Sequence, residues 1–223
     1  MKKFFDAGKN FLTLLLISLS LSFCDRNSEI KWIEVGGEPT DNLESFFFRK
    51  TFYLEKNSNT VILKVSAHQR YKLYVNGKYT GMGPQVSDPD HPRYDSYNIE
   101  QLLVKGSNTI AIQVINFGEF AGENMFPGRT ALWVNCEQIE EISSNETWKV
   151  SNDPTLHGIK VRGTQMVRGG FLAPGCDSVI NIPEFSEWYQ KDYDDKSWKK
   201  EMGSFGGNQP SERSIPFMEQ GIE

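Results

Sequence analysis

Two segments of the sequence bring together the side-chain types that proteins use to hold sugars. The first contains Asp88, His91, Arg93 and Tyr94 within seven residues. Carboxylate and guanidinium groups can form paired hydrogen bonds with neighbouring hydroxyls, and a tyrosine ring offers an apolar face for stacking. This segment is therefore a candidate binding loop. The alternative is a surface loop that its two prolines shape and whose charges are solvated.

The second candidate follows an alternating, strand-like run and contains Asn116, Phe117 and Glu119. It again combines polar and aromatic groups in an irregular segment with glycine. The alternative is that its phenylalanine rings are buried and only pack the loop. Trp188 lies in another irregular segment, and among the tryptophans it is the best candidate for stacking on a ligand.

The sequence contains no motif that would carry catalysis or hold a metal. It lacks Gly-x-Ser-x-Gly, His-Glu-x-x-His, Cys-x-x-Cys and any glycine-rich phosphate loop. The three histidines, at positions 68, 91 and 157, are not at metal-ligand spacing. Asp192 and Asp194 could begin a calcium loop, but Lys196 stands where a third oxygen ligand is needed. We interpret that segment as a polar turn and predict no catalytic residue and no metal ligand.

Charge and composition narrow the class of partner. The formal net charge is −5, and no basic run occurs beyond the first ten residues, so nothing favours nucleic-acid binding. Aromatic residues make up 13% of the chain, which is enough to fill a core and leave rings for ligand contacts.

The N-terminus has the pattern of an export signal, predicted here over residues 1–23. A basic start precedes the apolar run Phe11–Phe23, which is too short to span a bilayer. Leu21-Ser22-Phe23-Cys24 resembles a bacterial lipobox, although Phe23 departs from the usual small residue. The prediction is an exported lipoprotein anchored through Cys24, either cell-surface, outer-membrane or periplasmic, with simple secretion as the alternative.

Two further cysteines, Cys136 and Cys176, could form a disulfide in an exported protein. The alternative is two separate buried thiols.

The hydrophobic pattern predicts an all-β, antiparallel β-sandwich. Residues 61–67 alternate between apolar and polar side chains, and Asn76-Gly77 between two aromatic-rich runs predicts a hairpin with a type I′ turn. We also expect strands at 46–54, 95–98, 109–116, 131–135, 139–143 and 148–150, one between 164 and 171, and a helical turn at 99–104. The predicted organisation is a tether at 24–29, a sandwich at 30–205 and a linker-like tail at 206–223.

Four stretches resemble the N-terminal β-sandwich of bacterial α-L-rhamnosidases, which has a galactose-binding-like jelly roll. They are Arg70–Gly77 (RYKLYVNG), Gly83-Pro84, Arg93–Tyr97 (RYDSY) and Leu103–Ala111 (LVKGSNTIA). His68 and Gln69 depart from the family, which often has acidic residues there. The resemblance implies late strands at 145–150 and 192–198. It supplies no catalytic residues, because the family carries those on a helical barrel for which this sequence has no counterpart.

The resemblance implies a non-catalytic carbohydrate-binding module for rhamnose-containing or related glycans. Calcium is an option, since some related modules bind sugar through it, but no residue here demands it. The membrane would be a partner only through the lipid anchor. One alternative is a truncated N-terminal fragment of a rhamnosidase-like glycoside hydrolase. A second alternative is an adhesive surface lipoprotein that binds proteins rather than glycans.

Overall fold

The predicted β-sandwich is confirmed by a computed structural model, which describes residues 30–35, 42–56, 60–122, 125–126, 128–158, 176–178, 182–199 and 203–217. The strands in chain order are β1 (Trp32–Val35), β2 (Glu44–Leu54), β3 (Ile62–Ala67), β4 (Arg70–Val75), β5 (Lys78–Gly83), β6 (Arg93–Asn98), β7 (Gly106–Asn116), β8 (Thr130–Asn135), β9 (Lys149–Asn152), β10 (Leu156–Gly158), β11 (Cys176–Ser178), β12 (Gly203–Phe205) and β13 (Ser211–Glu212). Short 3₁₀ turns occupy Glu100–Leu102, Gly118–Phe120, Glu140–Ile142 and Pro183–Phe185. None of the described residues lies in a helix long and apolar enough to cross a membrane.

The strands form two main sheets. One has the order β12-β1-β8-β3-β6-β13, the other has the order β5-β4-β7-β2-β9, and β10 pairs with β11 separately. Neighbouring strands are antiparallel except for β13, which runs parallel to β6. The six-stranded sheet therefore continues past residue 205, the expected end of the sandwich.

The Asn-Gly hairpin forms as the sequence predicts. Asn76 and Gly77 have φ of 49° and 82°, the left-handed values that a type I′ turn requires. The Asn76 side chain bonds to Asn108 and to the carbonyl of Leu102, which ties the hairpin to the turn that precedes β7. The predicted helical turn is the 3₁₀ turn at Glu100–Leu102.

The core lies between the two sheets. Alternate residues of β3, such as Leu63 and Val65, face alternate residues of β4 and β7, such as Leu73 and Ile112, and all four are fully buried. Burying such side chains contributes on the order of 2 kcal/mol each. This packed core makes the sandwich a stable support for the loops at its ends.

Residues 182–199 cover the outer face of the five-stranded sheet. The Trp188 ring stacks on Phe47 with centroids 4.1 Å apart, and Tyr189 stacks on Tyr74 at 4.6 Å. Arg49 on β2 holds this segment because its Nη1 donates to the carbonyl of Trp188 and its Nε lies 3.0 Å from Asp195 Oδ2. These contacts fix residues 182–199 against the sheet.

The expected strand at residues 192–198 is wrong. The segment forms turns instead, because the Asp194 carboxylate accepts the backbone N–H of Lys196 and Trp198 N–H donates to the carbonyl of Asp195. Among the described residues, the backbone pairing next to this segment is one isolated bridge, between Val150 and Lys199.

Residues 206–209 pack on the outer face of the six-stranded sheet, next to its edge strand β12. Phe205 stacks on Trp32 with centroids 6.1 Å apart, and the indole N–H of Trp133 donates to Gln209 Oε1. Both outer faces of the sandwich are thus covered by segments that follow the main strands in sequence.

Other predicted elements differ in detail. Residues 140–142 form a 3₁₀ turn rather than a strand, since the Ser143 and Ser144 hydroxyls accept backbone N–H groups of β8 and its end. The segment after Gly81, expected to be wholly irregular, contains the last residues of β5. The signal, Cys24, the tether and the strand expected between residues 164 and 171 lie outside the described residues.

Candidate functional site

Three loops that cross from one sheet to the other meet at one end of the sandwich. His68 and Gln69 connect β3 to β4, residues 84–92 connect β5 to β6, and residues 117–129 connect β7 to β8. The two segments that the sequence singled out belong to the second and third of these loops. Loops held by a rigid sandwich in this way are common binding sites.

These loops enclose a cavity of about 180 Å³, which we call the end cavity. Its apolar wall contains the rings of Trp32, Phe126 and Phe205, together with Val86 and several prolines. Phe126 is 49% exposed, so its ring stands at the mouth rather than in the core. An apolar wall with a few polar groups is the usual composition of a small-molecule site.

Arg70 is the cationic group of the end cavity. Its Nη1 donates to the carbonyls of Pro84 at 3.0 Å and Gln69 at 3.3 Å, which holds the guanidinium in place at the start of β4. Burial lowers the pKa of Arg70, and the nearby Asp95 carboxylate opposes that effect. Its Nε and Nη2 make no hydrogen bond to any residue that the structure describes, so the group can donate to a ligand.

His68 supplies the second polar group of the wall. Its ring packs edge-on against Trp32, with centroids 6.0 Å apart. Burial lowers the pKa of His68, and the charge of Arg129 lowers it further. The imidazole is therefore held neutral near pH 7, with one nitrogen as donor and the other as acceptor.

Gln69 joins two of the loops. Its Oε1 accepts the backbone N–H of Phe117 at 2.6 Å, and its Nε2 donates to the carbonyl of Phe126 at 2.9 Å. The side chain is only 5% exposed, so these bonds occupy both ends of the amide. Gln69 therefore fixes the position of Phe126 and does not itself offer groups to a ligand.

Residues 205–215 complete the wall. The indole N–H of Trp32 donates to the carbonyl of Asn208, and Gly207 leaves no space for a side chain against Trp32 and Phe205. Gln85, also on the wall, accepts the backbone N–H groups of Ser214 and Ile215. The cavity thus depends on a segment that the sequence analysis expected to be linker-like.

Of the first predicted loop, Asp88 lines the end cavity. Its carboxylate accepts the backbone N–H groups of Asp90 and His91 and lies 3.0 Å from His91 Nδ1. The hydrogen bond from His91 lowers the pKa of Asp88. Asp88 and His91 therefore close a turn at the rim, with His91 pointing to solvent at 77% side-chain exposure.

Arg93 and Tyr94 do not line the cavity. Arg93 donates to the Ser211 hydroxyl at 2.8 Å and the Glu212 carbonyl at 3.0 Å, so it holds β13 against β6. Tyr94 stacks on Trp133 at 5.8 Å on the outer face of the same sheet. Arg93 therefore holds residues 211 and 212, and Tyr94 packs against Trp133.

The second predicted loop is partly interior. Asn116 is 1% exposed and donates to the carbonyl of Gly128, while Phe117 is 7% exposed; these two side chains hold the loop rather than face solvent. Glu119 is exposed, outside the cavity wall. Trp188 is 6% exposed and is a packing residue of the opposite sheet face, not a free stacking surface, because Phe47 and Tyr74 enclose its ring.

Several wall residues were not predicted. Trp32, Arg70, Phe126 and Phe205 come from distant parts of the sequence, and only the fold brings them together. Arg70 lies inside the RYKLYVNG stretch that carries the family resemblance. That stretch was the one sequence feature that could have marked Arg70 as a candidate site residue.

Cys136 is buried, and burial raises the pKa of its thiol. The side chain of Cys176 lies outside the described residues, so the disulfide stays a prediction. Within the described part of the chain, no group of three or more His, Cys, Asp or Glu side chains is arranged to hold a metal ion.

Comparison with known proteins places this architecture. No protein-family model matches the sequence, and no curated protein is significantly similar to it. Among solved structures, the GH78 family rhamnosidase of Bacillus sp. GL1 matches 86% of this chain with 26% identity and a TM-score of 0.64. The α-L-rhamnosidase of Aspergillus terreus matches 85% with 18% identity and a TM-score of 0.50.

The fold and the end cavity define an antiparallel β-sandwich with a loop-built site. The chain resembles the β-sandwich module of the α-L-rhamnosidases, as its sequence motifs indicate. It spans 20% of the Bacillus enzyme and 22% of the Aspergillus enzyme, so about one fifth of the length of these proteins.

Proposed function

We propose that this chain is a non-catalytic carbohydrate-binding module whose site is the end cavity. The observation that carries the proposal is the pairing, in one cavity, of aromatic wall residues with polar side-chain atoms that have no hydrogen-bond partner among the described residues. Trp32, Phe126 and Phe205 offer apolar faces to a sugar ring. Arg70 and neutral His68 offer hydrogen bonds to its hydroxyls.

The similarity to rhamnosidases supports a rhamnose-containing or related glycan as the ligand. The matched proteins are rhamnosidases, and a module that holds the same glycan would keep it near a catalytic domain. The proposal does not require calcium, and binding is to be measured both with and without it.

Glycan binding by the purified protein tests the proposal directly. An array of rhamnosyl, galactosyl and uronic-acid glycans, with calcium and with a chelator, should show retention of at least one rhamnose-containing or related class. If no glycan is retained in either condition, the proposal is wrong. Retention of purified surface proteins without glycan binding would instead support an adhesive role.

A ring at the cavity mouth gives the matched variant. Phe126→Ala should weaken glycan binding about fivefold, since aromatic contacts of this kind contribute on the order of 1 kcal/mol. Tyr53→Ala is the control, because Tyr53 is 65% exposed on β2 and does not line the cavity. Equal affinity of the two variants would place the sugar elsewhere on the protein.

In a second candidate function, this chain is the N-terminal domain of a larger, rhamnosidase-like glycoside hydrolase. Ile215 and Phe217 are 59% and 43% exposed, and exposed apolar side chains at this position suit contact with a further domain. Sequencing the DNA downstream tests this candidate, which requires an open reading frame for a helical barrel.

We also propose that the protein is exported and anchored through Cys24, as its N-terminal sequence pattern suggests. Radiolabelled palmitate in a bacterial host should label the wild type and not Cys24→Ser. Absence of label from the wild type would leave secretion without an anchor.

A further inference from the structure

Arg70, on the wall of the end cavity, forms no ion pair with any residue that the structure describes. Asp95, on β6, is fully buried, and two arginines lie near it: Arg70 on the cavity wall and Arg213 from the segment that covers the sheet. Arg213 is the one within ion-pair distance of this carboxylate, so Arg70 has no counter-ion in contact with it among the described residues. A partly buried charge without a counter-ion is unfavourable, so it favours binding of an anion.

The Asp95 carboxylate contacts Tyr71 and Arg213 and makes no hydrogen bond with Arg70. Its Oδ2 accepts the Tyr71 hydroxyl at 2.5 Å, and Arg213 Nη1 lies 3.0 Å from its Oδ1. Gly83 is required beside this carboxylate, because a Cβ there would lie 1.8 Å from Oδ2. The buried cluster is closed to a ligand.

The other acid on the cavity wall lies at its rim and forms no ion pair with Arg70. Asp88 pairs with His91 at the rim and accepts two backbone N–H groups. Within the described residues, Arg70 makes its hydrogen bonds only to the backbone carbonyls of Gln69 and Pro84, both through Nη1. The Nε edge of the guanidinium thus keeps the parallel donors that a carboxylate binds in bidentate geometry.

We propose that the end cavity takes a sugar that carries a carboxylate, with Arg70 as the residue that binds the carboxylate. This inference rests on the proposed function and specifies its ligand class as acidic glycans that contain a uronic acid. The rings of Phe126 and Phe205 contact the apolar face of the sugar. His68 is neutral and bonds to a hydroxyl without adding charge.

A matched pair of glycans tests the ligand class. The probes are oligosaccharides of alternating rhamnose and galacturonate and the same oligosaccharides after reduction of each carboxyl to a primary alcohol. The full-length protein should bind the acidic form at least tenfold more tightly in calorimetry, and the difference should shrink as salt increases. This comparison uses only the wild type and does not depend on the folding of any variant.

Three variants test the assignment to Arg70. Arg70→Gln should abolish the preference for the acidic form, and Arg70→Lys should keep part of it, since lysine retains the charge but not the fork of donors. Lys72→Gln is the control: it removes a positive charge from an exposed position two residues along β4, outside the cavity. It should leave the preference unchanged.

The outcomes separate the two proposals. If the wild type binds neither form, the proposed carbohydrate function fails and this inference fails with it. If it binds both forms equally, or if Arg70→Gln keeps the full preference while remaining folded, the acidic-ligand inference is wrong and sugar binding stands. Tighter binding of a sulfated oligosaccharide than of the uronate would also overturn the assignment of a carboxylate.

Discussion

Arg213 Nη1 lies 3.0 Å from Oδ1 of Asp95, and this ion pair joins residues 203–217 to the interior of the sandwich. The Asp95 side chain is fully buried, and its Oδ1 accepts no hydrogen bond from a described residue. Arg213 also lies over the ring of Phe217, 3.9 Å from its centroid. One cation therefore compensates a buried charge and packs an aromatic ring of the same segment.

Removing this cation should destabilise the protein. We expect Arg213→Met to lower the free energy of unfolding by about 2–4 kcal/mol, since it leaves a buried carboxylate without its ion-pair partner. Urea denaturation measures the loss. Adding Asp95→Asn to Arg213→Met should recover part of it, and a double variant no more stable than Arg213→Met would contradict this account.

The same pair predicts a pH effect. Burial raises the pKa of Asp95, with the Tyr71 hydroxyl and Arg213 opposing the shift. A carboxyl whose pKa is higher in the folded state loses stability as pH rises through that value, because the unfolded chain ionises more readily. Arg213→Met removes one opposing charge, so its stability should fall more between pH 4 and pH 7 than that of the wild type. Parallel profiles for both proteins would be the contrary result.

His68 predicts acid sensitivity of the opposite sign. Its pKa lies below the ordinary 6.5, through burial and the charge of Arg129, so the unfolded chain binds a proton more readily. Stability should therefore decrease as pH falls below 6.5, by at most about 1.4 kcal/mol per pH unit from one group. His68→Gln should flatten this part of the profile, and an unchanged slope in that variant would contradict this account.

A side chain at Gly77 should clash with residues 182–199, which cover the Asn-Gly hairpin. A Cβ at Gly77 would lie 2.2 Å from Gln190 Oε1, in addition to the strain of φ +82°. Gly106 has φ +99° with nothing within 4 Å of its added Cβ, so Gly106→Ala measures strain alone, about 1 kcal/mol. Thermal denaturation should show a larger loss for Gly77→Ala, and Gln190→Ala should reduce the excess.

Removing the Trp188 ring should lower the stability of the fold without changing the affinity for glycans. Trp188→Ala should cost about 3–5 kcal/mol, as for other large buried rings. Because Trp188 packs on the outer face of the five-stranded sheet, glycan affinity measured below the unfolding transition should not change. A folded Trp188→Ala protein with weakened glycan binding would restore this ring as part of the site.

The parts of the fold that depend on near neighbours could be predicted from the sequence. The Asn76-Gly77 turn forms as expected because two adjacent residues supply both left-handed conformations. The alternation in β3 likewise identifies its buried face. The strand at 192–198 that the resemblance implies does not form, and the packing of Tyr193 and Trp198 there depends on Phe47 and Arg49, far away in sequence.

The end cavity could be predicted only in part. Asp88 was identified, since the loop that contains it has a distinctive composition. Trp32 and Phe205 are separated by most of the chain, and no local pattern marks them as neighbours. Asn116 and Phe117 have the chemistry of a binding loop, but Gln69 and Gly128 satisfy their polar groups internally.

The covering of both outer sheet faces has a consequence for biosynthesis. Ribosomes make the chain from its N-terminus, so Phe47 and Trp133 are synthesised long before residues 182–199 and 203–209. A nascent chain that lacks these residues exposes two hydrophobic aromatic surfaces to solvent, and such surfaces promote self-association. Chaperone capture should therefore be strongest while roughly the final fifth of the described chain is still inside the ribosome.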